Sequence, residues 1–176
     1  MNRRGLLRTM GAGAAATMAS PMFFTRGAWG SEFCNSPEKT GKIIFGFNVP
    51  QTGSYAEEGL EQLKAYELAV KHINEGGGML ETLKPLSLKG NGVLGKKVEF
   101  VSGDTQTNTD AARDGARRMI ERDGAVMVTG SVTSGEAIAV QSLCQEKGVI
   151  YMAGLTHSND TTGKDKRRYG FRHFCL

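Results

Sequence analysis

Lys42-Ile43-Ile44-Phe45-Gly46-Phe47, then Pro50-Gln51-Thr52-Gly53-Ser54-Tyr55, then Ala56 to Asn74 closing on Gly76-Gly77-Gly78, make up one continuous passage. Its first segment is a short apolar run halted by a proline, which reads as a strand. Its second is rich in turn formers and reads as a loop. In its third, Leu63, Tyr66, Val70 and Ile73 recur at helical spacing with Ala65 and Ala69 beside them. That spacing predicts a helix with one apolar face. The glycines end it, because glycine accepts the left-handed backbone favoured at a helix terminus.

The same strand–loop–helix rhythm continues downstream. Residues 79–95 read as an irregular insertion around Pro85. Lys97-Val98-Glu99-Phe100-Val101 alternates and reads as a second strand. Asp110 to Arg122 reads as a helix with Ala112, Ala116, Met119 and Ile120 inward. Ala125-Val126-Met127-Val128 is a strand of the fully buried kind. Ser134 to Lys147 is a third helix, with Ala137, Val140 and Cys144 inward. Val149-Ile150-Tyr151-Met152 and Gly170-Phe171-Arg172-His173-Phe174 read as the fourth and fifth strands. Strands alternating with helices imply an α/β fold, a parallel sheet with helices on both faces. Such sheets bind ligands beyond the carboxyl ends of their strands. The loops 50–56, 130–136 and 153–159 should therefore converge.

The chain has 176 residues, 39% hydrophobic and 23% charged, which suits one globular domain. No apolar run is long enough to span a bilayer as a helix. The formal charge is +4. Residues 1–28 carry Arg3, Arg4, Arg8 and Arg26 and no acid, so the remainder is neutral. The Lys164-Asp165-Lys166-Arg167-Arg168 cluster lacks interleaved aromatics and reads as a solvated loop, so no nucleic-acid partner is expected. Three cysteines, Cys34, Cys144 and Cys175, without a CxxC pair give no metal pattern and no cofactor motif. Cys144 falls on an apolar helix face and reads as core.

Residues 1–30 read as an export leader rather than fold. Arg3-Arg4-Gly5-Leu6-Leu7-Arg8 precedes the weakly apolar Met10-Gly11-Ala12-Gly13-Ala14-Ala15-Ala16. A paired-arginine start of this kind resembles a twin-arginine signal, with cleavage expected near Ala28. The Gly11-x-Gly13-x-x-Ala16 spacing imitates a dinucleotide fingerprint, but no strand precedes it. Residues 31–41 read as a linker.

Two loops carry candidate chemistry. Gly130-Ser131-Val132-Thr133-Ser134-Gly135-Glu136 joins a strand to a helix, whose unpaired N–H groups suit a carboxylate or phosphate. Thr133-x-x-Glu136 matches a capping box, so those two side chains are expected to cap their own helix. Ser134 is not required by the box. The Gly-x-x-x-x-Gly spacing here places Glu136 where a nucleotide-binding loop needs lysine. Leu155-Thr156-His157-Ser158-Asn159-Asp160 follows the fourth strand. A Ser134/His157/Asp160 hydrolase grouping is conceivable, but Ser134 lacks the first glycine of a nucleophile elbow.

Taken together, Gly46–Gly53, Ala69–Gly77, Leu94–Val98, Asp104, Thr107–Arg117 and Gly130–Gly135 resemble, in order and spacing, the branched-chain amino-acid-binding receptors of bacterial ABC transporters. The similarity runs from about Lys42 to Phe174. It implies a type I periplasmic-binding fold, with residues 42–176 as a partial first lobe. It also implies a further lobe beyond this chain, so the chain is expected to be the leading part of a longer receptor. By the resemblance, Ser134 and Gly135 would hold a solute carboxylate, and Leu155 and Thr156 would supply polar and main-chain contacts. A one-residue ambiguity would pass the Thr156 role to His157. Tyr55 and Glu58, in the segment Ser54–Glu58, would flank the ligand. The implied function is non-catalytic capture of an amino acid or similar small solute for an ABC permease, in the periplasm. The rival readings are an exported ligand sensor of the same fold and an exported serine hydrolase. The disulfide of some members would need cysteines near Gln106 and at Thr133, and neither is present.

Overall fold

In the computed structural model, the residues described are Asn35, Pro37, 41–78 and 92–173, all within the unit Glu32–Leu176. The leader, Cys34, Cys175 and most of the 79–95 insertion lie outside them. Strands β1 (Ile43–Val49), β2 (Val98–Asp104), β3 (Met127–Gly130), β4 (Ile150–Ala153) and β5 (Gly170–Arg172) alternate with helices α1 (Ala56–Glu75), α2 (Thr109–Glu121) and α3 (Ser134–Lys147). The five strands form one parallel sheet in the order β2-β1-β3-β4-β5. Among the described residues, no helix is long and apolar enough to cross a membrane.

Side-chain alternation along the strands decides what each face holds. On β1, Ile43, Phe45 and Phe47 pack with Val70, Leu63, Tyr66 and Ile73 of α1. The intervening Asn48 faces α2, where its side-chain amide donates to the Ala112 carbonyl at 2.7 Å. Helices α2 and α3 cover that second face with Ala112, Ala116, Met119, Ile120, Ala137, Val140 and Cys144, all buried. Met119 lies so close to the sheet that a Cβ at Gly46 or Gly103 would meet its side chain, at 2.8 and 2.7 Å. The glycines in β1 and β2 are therefore the counterpart of a large residue on α2.

The helices are fixed at their ends by local chemistry. Asn108 caps α2, its side chain accepting from the N–H groups of Asp110 and Ala111. Gly148 ends α3 in the left-handed region at φ 64, a conformation glycine adopts without a Cβ penalty. Asn74, near the end of α1, both accepts from the Val98 N–H and donates to its carbonyl at 2.8 Å, tying α1 to the start of β2. Before β1, the Asn35 side chain donates to the carbonyls of Ile120 and Ala125.

The first four strands run further toward their carboxyl ends than the apolar runs indicate. The added residues include Asn48, Ser102, Gly103, Asp104, Thr129 and Gly130. These are polar or lack side chains, so hydropathy does not mark them as strand. The parallel ladder holds them nonetheless, pairing Asn48 with both Gly103 and Gly130. Where the insertion's last residues are described, Val93 and Lys96 form a tight two-way bridge.

Candidate functional site

The chain steps outward from β1 to β2 and then back past β1 to β3, so the direction of winding reverses between β1 and β3. In open parallel sheets a crevice opens at the carboxyl ends of such a pair. Two loops meet there, residues 50–55 after β1 and 131–133 after β3. The loop after β4 joins them through backbone bonds, Gly154 N–H to the Gly130 carbonyl at 2.6 Å and Leu155 N–H to the Ser131 carbonyl at 3.2 Å. Ser131 holds a left-handed backbone at φ 66, although it is not glycine. Its side-chain oxygen accepts the buried Tyr151 hydroxyl at 3.0 Å, which helps fix that conformation.

At the start of α3 the capping box forms as its sequence indicates. Thr133 Oγ1 accepts the Glu136 N–H at 3.3 Å, and Glu136 Oε2 accepts the Thr133 N–H at 3.0 Å. Glu136 is fully buried. The box leaves the N–H groups of Ser134 and Gly135, the first two residues of the helix, outside its own bonding. The Ser134 hydroxyl oxygen accepts the Ser158 N–H at 3.2 Å, so its own proton can be donated elsewhere. Ser134 thus leans toward a loop amide, and Asp160 pairs with Lys164 at 3.0 Å.

A hollow of about 520 Å³ lies over this point. Tyr55, Glu58, Ser134, Leu155 and His157 line it. Four of the six residues singled out by resemblance are therefore together. Gly135 sits beside the hollow rather than on its wall, offering backbone only. Thr156 is fully buried behind Leu155, its hydroxyl without a hydrogen-bond partner. His157 stands on the wall where Thr156 does not.

The α1 side of the crevice is held by a polar clasp. Asp104 ends β2, and its carboxylate accepts the N–H groups of Gln51 (2.8 Å), Thr52 (3.1 Å) and Gln106 (2.8 Å) and the Thr52 hydroxyl (2.6 Å). Burial by itself would raise the Asp104 pKa, but these donors outweigh it and hold the carboxyl below its ordinary value. Thr107, next along, accepts the Tyr55 N–H and so fixes the N-cap of α1.

The residue-family match decides the identity of this arrangement: a model of periplasmic binding proteins matches residues 42–174. This chain belongs to that family. A Leu/Ile/Val-binding protein homolog from Brucella abortus is 29% identical over 122 residues, covering 69% of this chain and 27% of the relative. The isoleucine complex of LivJ from Streptococcus pneumoniae superposes with a TM-score of 0.61 at 26% identity, covering 74% of this chain and 33% of that one. A solute-binding protein from Rhodopseudomonas palustris, solved with 3,4-dihydroxybenzoic acid, shares the fold at TM-score 0.61 and 22% identity, over 74% of this chain and 31% of that one. The chain spans between a quarter and a third of the length of these proteins. The type I periplasmic-binding fold expected from the sequence is the fold observed, and the family's proteins work in the periplasm.

Within this periplasmic-binding family member, sequence reasoning missed the residues that support the site from beneath. Gln62 Nε2 donates to the Tyr66 hydroxyl at 2.7 Å. Thr129 and Tyr66 share a contact at 3.2 Å, and Thr129 also reaches the Met152 carbonyl at 2.9 Å. A carbonyl only accepts, so the Thr129 proton goes to Met152 and the Tyr66 proton goes to Thr129. The result is a directional chain from Gln62 through Tyr66 and Thr129 to the β4 backbone. Helical periodicity marks Tyr66 as apolar face and says nothing of its hydroxyl. Gln62, beside it on α1, breaks the apolar pattern, and that break was the available signal.

Proposed function

We propose that this chain forms the first lobe of the substrate-binding component of an ABC importer, taking an amino acid or similar small carboxylate-bearing solute. The observation that carries this reading is the hollow at the β1/β3 crevice. It places the Ser134 hydroxyl at the unpaired N–H end of α3, opposite Tyr55, Glu58 and Leu155. Hydroxyl and helix N–H donors there suit a carboxylate that has left water. Ser134, Gly135 and Leu155 are the proposed binding residues, with Tyr55 and Glu58 at the flank. His157 supplies the polar wall expected of Thr156. The site works by binding alone, without catalysis.

In the whole protein a second lobe would close over this face, and the closed form would dock on a membrane permease. Residues 1–30 would direct export by the twin-arginine route, residues 31–41 would link, and residues 42–176 would build the first lobe. A solute-binding role of this kind is supported by the isoleucine bound to LivJ.

Calorimetry on the full-length protein tests the reading, with leucine, isoleucine, valine and arginine as solutes. Binding of at least one is expected, and Ser134→Ala should weaken it about tenfold to a hundredfold, the range of a lost hydrogen bond to a charged group. Silence across the panel, or a Ser134→Ala variant that binds as well as the parent, would reject it.

A further inference from the structure

The crevice does not end at Ser134. A second hollow of about 660 Å³ shares Glu58 and Leu155 with the first and extends along α1 to His173. Its α1 wall carries Glu57, Glu58 and Glu61, all exposed. Glu61 pairs with Lys64 of its own helix, both side chains about two-thirds exposed at 68% and 70%. Among the described residues, no lysine or arginine lines this hollow. Acids in the first turns of a helix suit its dipole and need no ligand.

Gln62 is the independent observation. It lines the same hollow and is only 8% exposed, and its Oε1 is buried with no hydrogen-bond partner. The amide cannot simply turn round to remedy this. The hydrogen-bond chain to Met152 consumes the protons of Tyr66 and Thr129, so Tyr66 can only accept from Gln62. Nε2 must face Tyr66, and Oε1 remains an unmatched acceptor. Gly154 leaves room for the amide, because a Cβ there would collide with Nε2. A buried carbonyl oxygen without a donor costs on the order of 1–3 kcal/mol. Gln62 shares the lining of this hollow with three carboxylate side chains.

We propose that this second hollow is a subsite for a cationic nitrogen group, an ammonium or guanidinium, at the far end of the solute whose carboxylate meets Ser134. The inference rests on the amino-acid reading above and narrows it to a solute with a basic side chain. The crevice is bipolar: donors gather at Ser134 and Gly135, and acceptors gather at Glu57, Glu58, Glu61 and Gln62.

Calorimetry on the full-length protein with L-arginine, its neutral isostere L-citrulline, and L-leucine tests this. Arginine should bind about tenfold or more tightly than citrulline or leucine at low salt, and the gap should narrow at higher ionic strength. The double variant E57Q/E61Q removes two exposed charges without touching the core. It should shrink the arginine–citrulline gap about threefold to tenfold and leave leucine unchanged. Gln62→Met, which keeps the volume and deletes the acceptor, should weaken arginine more than leucine. Equal binding of arginine and citrulline, or tighter leucine, overturns the cationic subsite while the amino-acid reading stands. If none of the three binds, both fall together.

Discussion

The two faces of the sheet are built on different principles. The α2–α3 face is sealed by small and medium apolar side chains, from Ala112 to Tyr151, almost all of them fully buried. The α1 face has a smaller buried set, with Phe45, Leu63, Tyr66 and Ile73 only partly covered. An apolar hollow of about 230 Å³ remains beside Tyr66, between α1 and residues such as Met127 and Met152. Tyr66 and Thr129, two members of the polar chain, also line it. The sealed face supplies rigidity and the Ser134 end of α3, and the open face supplies the α1 wall of the crevice with Tyr55 and Glu58. A binding site of the kind proposed needs both, since a site is more accurate when rigid elements hold it.

Truncating the sealed face is the largest expected effect. Ile120 is wholly buried on α2. Ile120→Ala should lower the unfolding free energy by about 2–5 kcal/mol, because deletion leaves a cavity that close-packed neighbours cannot fill. Val70→Ala on α1 removes fewer buried atoms beside a surface that is already partly open, and should cost about 1 kcal/mol. Urea unfolding of the full chain measures both. Equal losses would erase the distinction between the faces.

The same contrast explains what the sequence could disclose. Helical spacing picked out Ala112, Ala116, Met119 and Ile120, and Val140 and Cys144, because on a sealed face burial and hydropathy coincide. Burial also pushes the Cys144 thiol up to about 12, as a core cysteine requires. The Thr133–Glu136 box was legible because capping is local in sequence. Asn48, Asp104 and Gln62 were not legible as supports, because Asn48 and Asp104 work through partners 52 to 64 residues away and Gln62 joins a chain whose next step, Tyr66 to Thr129, spans 63 residues. Strand ends were underestimated for the same reason: the site end of a sheet is where polar residues replace apolar ones. Thr156 shows the opposite limit. The resemblance gives this loop polar and main-chain contacts at Leu155 and Thr156, with His157 as the alternative; the Thr156 side chain is buried and His157 lines the hollow, which local sequence could not sort.

Asp104→Asn probes how the open face is attached. The carboxylate clasps the loop that delivers α1, so its loss should cost about 1–2 kcal/mol at neutral pH, the scale of charged hydrogen bonds in a partly solvated setting. The folded carboxyl lies below its ordinary value of about 3.9. Its stabilisation is therefore complete above that value and disappears as pH falls through the lower folded value. Parent and variant should differ most at pH 7 and converge in acid. A difference that persists unchanged below pH 3 would mean that the clasp acts through shape rather than charge.

The smallest effect tests the chain beneath the crevice. Tyr66→Phe keeps the ring, which packs on Phe47 with centroids 5.0 Å apart, and removes only the hydroxyl. Gln62 Nε2 then loses its acceptor, and the Thr129 oxygen loses the proton it received. Two modest bonds disappear from a half-open site where water can replace part of each, so the cost should be about 1 kcal/mol. The orientation of Gln62 should change with it. With Tyr66 gone as acceptor, nothing keeps Nε2 inward, and the amide is free to turn its donors toward the carboxylates of α1. Urea unfolding reads the first consequence, and the arginine–citrulline gap reads the second. A narrowed gap with a small stability loss means that the hydrogen-bond chain sets the polarity of the crevice. An unchanged gap means that Gln62 is held by its packing alone.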